Sequence, residues 1–142
     1  MNIDIKLYNE IYSNAELARD ITGRLIRRCR DASLRKAMAD QFAEYHAILL
    51  EAGEALAKAA EAPEEYSRMM RYPIYCGMRM NLAADSTSSN IAEMLVQGSA
   101  MGLIDIARAL NAFQEAELGA RALAERLQGA EEGNIRRLLA FL

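Results

Sequence analysis

The sequence predicts an all-α protein, an antiparallel four-helix bundle built from residues 1–142 as a single domain. Three features lead there. Proline occurs only at Pro63 and Pro73, leaving long proline-free stretches on either side, as long helices require. Ala, Leu, Glu, Arg and Met dominate, all good helix formers, and no alternating strand pattern outlasts Ile3-Asp4-Ile5-Lys6. Apolar residues recur at three- and four-residue steps, which lays them in stripes along helix faces.

The first helix is expected from about Ile5 to Arg30, with Leu7, Ile11, Ala18, Ile21, Leu25 and Cys29 on one face. Its stripe breaks at Asp31-Ala32-Ser33, where Ser33 is the expected N-cap of the second helix. That helix carries Leu34, Met38, Phe42, Tyr45, Leu49, Ala52 and Leu56 inward and ends near Pro63. A third row reads Ala84, Ser88, Ala92, Leu95, Ser99, Leu103, Ile106 and Leu110, and can be followed back to Met78. It favours a continuous or gently broken helix from about Pro73 to Phe113. Asp85 to Asn90, however, is rich in capping side chains, and Asn90-Ile91-Ala92-Glu93 could open a fresh helix. A start near Asn90 would turn residues 62–89 into a long crossover; a start near Pro73 would allow simple up-down topology. The fourth helix is expected from about Glu115 to Leu142, with Ala116, Ala120, Leu123, Leu127, Leu138 and Phe141 inward.

Composition excludes several classes. With 142 residues, 52% hydrophobic and 26% charged, the chain has the balance of a globular protein with one core. A net charge of −3 offers no global field for nucleic acid, so none is expected as a partner. No apolar run approaches the roughly 20 residues needed to cross a bilayer, so no membrane partner is expected either. The opening residues lack the apolar stretch of a secretory signal, and a cytoplasmic location is expected. Cys29 and Cys76 lie far apart without a Cys-x-x-Cys pairing and read as free thiols.

The fourth helix holds an anomaly. At about 100° per residue, Glu131 and Asn134 fall within the arc of Leu127 and Leu138. A carboxylate and an amide therefore point at the core, and each needs a partner. The spacing Glu131-x-x-Asn134 is a Glu-x-x-His element with Asn in place of His. The second helix has the converse, His46 with Ala43 rather than Glu three residues before it. Four long helices carrying these half-motifs resemble the ferritin-like superfamily, nearest to a bacterial branch with an incomplete di-metal motif. The resemblance implies inward carboxylates from two helices and Glu-x-x-His from the other two. His46 and Glu131 match that pattern by residue type, and a chain with one histidine cannot supply two. A complete di-metal centre is therefore not expected, no cofactor is expected, and a single transition metal on His46 and Glu131 is the remaining metal reading. Glu131 and Asn134 as a structural polar pair is the plainer one, and His46 alone reads as a hydrogen-bonded boundary residue.

Three further features stand out. Asp85 is either a core acid or an N-cap. Met94, Gly98, Met101 and Gly102 form a second face on the third helix, opposite its core row, with the glycines leaving a groove for another backbone. Either residues 62–80 cover that face or it builds a homodimer. Arg24, Arg27, Arg28, Arg30, Arg35 and Lys36 gather at the first hairpin, where the helix C-terminus favours cations. The expectation is a non-enzymatic, homo-oligomeric binding or assembly protein with an incomplete metal site. The alternative is a metal-binding redox or storage protein, and a third is a groove for a small apolar ligand.

Overall fold

The computed structural model describes residues 2–63 and 68–142, and they form five α-helices: α1 (Ile3–Ile26), α2 (Ala32–Lys58), α3 (Arg68–Ala84), α4 (Ser88–Ala112) and α5 (Leu118–Leu138). A short 3-10 turn, Leu139–Phe141, follows α5. No strand occurs among the described residues, and no helix among them is long and apolar enough to cross a membrane.

Several boundaries have a local cause. Asn2 caps α1 by accepting from the Asp4 amide at 2.7 Å. At the other end Arg35 donates from Nη1 to the Ile26 and Cys29 carbonyls, both at 2.9 Å, satisfying acceptors that the helix end leaves open. Asp31, rather than Ser33, caps α2: its Oδ1 accepts from the Leu34 amide at 2.8 Å, so the helix starts earlier than expected. α2 stops where Ala60 takes φ 57° and the Glu61 amide returns to the Leu56 carbonyl. The first turn of α5 has no side-chain cap of its own, and the Glu117 amide donates instead to Asp4 of α1 at 2.7 Å.

The expected continuous third helix is two helices. Thr87 caps α4 by accepting from the Asn90 amide at 3.2 Å. Asn90, whose side chain is buried, donates to Asn81 Oδ1 at 2.5 Å and to the Asp85 carbonyl at 2.7 Å. Short polar side chains thus bond the corner's own backbone and end α3 at Ala84, which is exposed. Residues 64–67, within the 62–89 stretch weighed above as a long crossover, lie outside the described residues.

α1 packs against α2, and α4 against α5; α1 also meets α4 and α5, and α2 meets α5. Their inward faces meet in two apolar layers. One joins Leu7 and Ile11 of α1, Ile48 and Ala52 of α2, Ile106 and Leu110 of α4, and Ala120 and Leu127 of α5. The other joins Leu25, Leu34, Met38, Ile91, Leu95 and Leu138. The order of residues within the layers sets the directions. α1 and α5 run from the first layer to the second; α2 and α4 run from the second to the first. Since α2 finishes at the end opposite to where α4 begins, the chain between them travels the length of the molecule and carries α3 on the way.

Two inward assignments are corrected: Ala84, expected on the core row of the third helix, is exposed at the corner, and Phe42 turns outward. Phe42 is 39% exposed, lying against Gly23 and stacked on His46, while Gln41 takes the inward position at 2%.

Candidate functional site: a polar belt beside an interhelical cavity

Between the two apolar layers lies a belt of polar side chains: Asn14 from α1, Gln41 and Tyr45 from α2, Ser99 from α4, and Glu131 and Asn134 from α5. All are buried, and Glu131 is 0% exposed. Each follows its helix's apolar step, as Asn14 does between Ile11 and Ala18, so backbone geometry alone carries it inward.

Tyr45 is the hub. Its hydroxyl donates a short hydrogen bond to Glu131 Oε1. The Tyr45 hydroxyl oxygen also accepts from Asn134 Nδ2 at 3.0 Å and has Ser99 Oγ at 3.4 Å. On the far side of Glu131, Asn14 Nδ2 donates to the Gly102 carbonyl at 3.0 Å. Glycine at 102 makes room for this arrangement. A Cβ there would collide with Glu131 Oε2 and lie 3.1 Å from Asn14 Oδ1. The carboxylate occupies the space that a side chain at 102 would need, which gives a glycine inside a helix a packing reason.

Within the belt, Glu131 Oε2, an acceptor, and Gln41 Nε2, a donor, are buried without a hydrogen-bond partner among the described residues. Burial pushes the Glu131 carboxyl up to about 7, and the Tyr45 hydroxyl only partly offsets it. Burial, with the charge of Glu131 second, drives the Tyr45 phenol well above its ordinary range.

These groups open onto a cavity of about 460 Å³ between α1, α3 and α4. Leu17, Ile21 and Leu25 form one wall, Met94, Leu95 and Gly98 a second, and Ile74, Gly77 and Met78 of α3 a third. Asn14, Gln41, Tyr45, Ser99 and Glu131 line the same space.

The residues singled out from sequence are distributed as follows. Glu131 and Asn134 are joined through Tyr45. His46 is not brought to Glu131: it is exposed, with Arg19 Nη1 3.2 Å from its Nδ1 and Phe42 stacked on its ring. One residue along a helix turns a side chain by about 100°, so Tyr45 points inward while His46 faces out. Asp85 is not a core acid but an exposed corner residue. Its Oδ1 accepts from the Thr87 amide at 3.0 Å, and this bond holds its carboxyl below the usual range. Met94 packs against the second apolar layer, Gly98 faces open space at the cavity, Gly102 receives the Glu131 carboxylate, and Met101 stays 66% exposed at the rim. Sequence reasoning missed Asn14 and Gln41. The signal for both was a polar residue in an apolar arc, the same signal that marked Glu131.

The donor set does not fit a paired-metal centre. The belt supplies one carboxylate, a phenol, a hydroxyl and neutral amides. Among the described residues no three His, Cys, Asp or Glu side chains converge in a way that could hold a metal ion. The arrangement can instead hydrogen-bond a guest: a carboxylate oxygen and an amide N–H, both buried, at the side of an apolar chamber. Comparison of this chain with protein-family models, curated proteins and solved structures gave no match.

Proposed function

We propose that this protein is a four-helix bundle of the ferritin-like kind, formed by α1, α2, α4 and α5, that binds a small, mostly apolar molecule in the cavity between α1, α4 and the overlying α3. The helix directions, with α2 and α4 parallel and a long connection between them, support the topological part. One observation carries the functional part: Glu131 lines a cavity, and its fully buried Oε2 has no hydrogen-bond partner among the described residues. An unmade hydrogen bond at a buried acceptor costs about 1–3 kcal/mol, and more for a charged group. A guest that supplies the donor removes that cost. The cavity volume, about 460 Å³, falls in the range of about 300–1,000 Å³ common for small-molecule sites.

The uncharged fluorophore N-phenyl-1-naphthylamine tests this reading. It should bind saturably, one to one, and Gly98→Phe should abolish binding. A Cβ at 98 meets nothing within 4 Å, so the new ring has room to enter the cavity without breaking the fold. Absence of saturable binding, or binding indifferent to Gly98→Phe, would refute it.

A homodimer seated on α4 is a second reading, favoured by Met101 and Ile104, which remain 66% and 50% exposed on that helix. Sedimentation at micromolar concentration decides it; a monomer would dismiss it.

A further inference from the structure

Resting on the ligand-binding reading, we infer that the cavity selects an alkyl- or arylalkyl-ammonium, a compact cation on an apolar body, whose N–H donates to Glu131 Oε2. The chamber is electrically one-sided. Its charged lining residues among those described are Glu131 and Asp105, both acidic, and no Lys, Arg or His joins them. The groups packed around Glu131 are neutral: Asn14 from α1, Tyr45 from α2, Ser99 from α4 and Asn134 from α5 itself. Tyr45 satisfies Oε1 and leaves Oε2 as the open acceptor. An ionised carboxylate in this place has a partial hydrogen-bond shell and no counter-ion, and an ammonium brings both.

The walls fit the rest of such a molecule. From Asn14 to Leu25 the α1 side of the cavity spans about 16 Å at 1.5 Å per residue. The polar groups Asn14, Tyr45 and Glu131 gather at one end. Ile21, Leu25, Met78, Met94 and Leu95 line most of the other, with Thr22 and Asn81 beside them. A head group at Glu131 therefore directs an apolar body along α1 towards the second layer. The methionines suit a body of variable shape. Burial of Glu131 adds a pH signature, because the carboxyl must lose its proton, held up to about 7, before it can pair with a cation.

Three size-matched probes separate head-group chemistry from cavity filling: 4-phenylbutylamine, 4-phenylbutan-1-ol and 4-phenylbutyric acid, titrated calorimetrically into the full chain. At about pH 8 the amine should bind roughly tenfold or more tighter than the alcohol, with the acid weakest. Amine affinity should fall about tenfold between pH 8 and pH 6, while alcohol affinity stays level. Glu131→Gln should cost the amine about tenfold and change the alcohol by less than about threefold. Should that variant fail to fold, the wild-type comparison of three head groups and two pH values decides alone. Equal binding of amine and alcohol, lost in Gly98→Phe, would overturn the ammonium assignment and leave the cavity reading standing. No binding of any probe would remove both.

Discussion

The two long seams of the molecule are built differently. Across α2 and α5, charged side chains bridge the surface: Arg126 pairs with Glu44 at 3.2 Å and with Glu51, and Arg137 pairs with Asp40 at 3.2 Å. Beneath them Tyr45, Glu131 and Asn134 bond directly. Across α1 and α4, Asn14 reaches the Gly102 carbonyl, and above that level the helices part to admit the cavity, with α3 forming its outer wall. One seam is closed and positions the carboxylate; the other leaves a cavity beside it. A buried acid can be aimed into a chamber when the helix carrying it is held on its opposite side.

Replacing leucines on the two sides tests the contrast most strongly. Leu127→Ala, at a fully buried position in the first layer, should cost about 2–5 kcal/mol in denaturant unfolding. Leu17→Ala, on the half-buried cavity wall, should cost less than about 1.5 kcal/mol, since space already lies beside it. Equal costs would mean that the open seam is as tightly packed as the closed one.

The pH dependence of stability comes next. Unfolded, Glu131 releases its proton near 4.5; folded, it holds it to about 7. Between those values the native state binds more protons, so stability falls as pH rises through the window and stays lower above it. The loss is on the order of 3 kcal/mol. Glu131→Gln should flatten this part of the profile and make the free protein more stable than wild type at about pH 8. A wild-type profile that is already flat would place the carboxylate in a wetter site than its burial implies.

The two glycines of α4 divide the open seam. Gly102→Ala should destabilise by about 1–3 kcal/mol, because the new methyl contests the position of Glu131. Gly98→Ala should stabilise by about 0.5–1 kcal/mol, since the same methyl meets open space and the helix interior favours alanine. Matching signs would deny that the carboxylate sits against α4 at 102. The smallest effect belongs to the surface of the closed seam. Arg126, 40% exposed, should change stability by no more than about 1 kcal/mol on truncation to Ala. A larger loss would show that the surface ion pairs, and not the buried Tyr45 network, hold that seam shut.

Much of this was legible in the residues. Helical class follows from proline placement and three–four periodicity, which are properties of the chain alone. The inward turn of Glu131 and Asn134 follows from phase, because about 100° per residue places them with Leu127 and Leu138 wherever the helix packs. Asn14 and Gln41 obeyed the same rule and could have been found by it. Phase within one helix is blind to its neighbours, however. It cannot show that Tyr45 of α2 meets Glu131 of α5 across 86 residues of sequence, or that His46 beside it turns away to Arg19.

The four residues of α4 show the limit best. The sequence groups Met94, Gly98, Met101 and Gly102 on a second face, but it does not show their surroundings, which come from α1, α3 and α5. Gly102 receives a carboxylate, Gly98 opens on empty space, and Met94 closes against the second layer. The corner at Asp85–Thr87 was marked by its capping side chains, yet the continuous row from Met78 to Leu110 was an equally sound local reading. Deciding between them needed the positions of both apolar layers, since only their order along α2 and α4 makes those helices parallel and sends the connecting chain, with α3, across the cavity. Local sequence determines which faces are apolar and which polar groups interrupt them. The tertiary structure decides what each face meets, because that depends on distant segments whose register no periodicity within a single helix encodes.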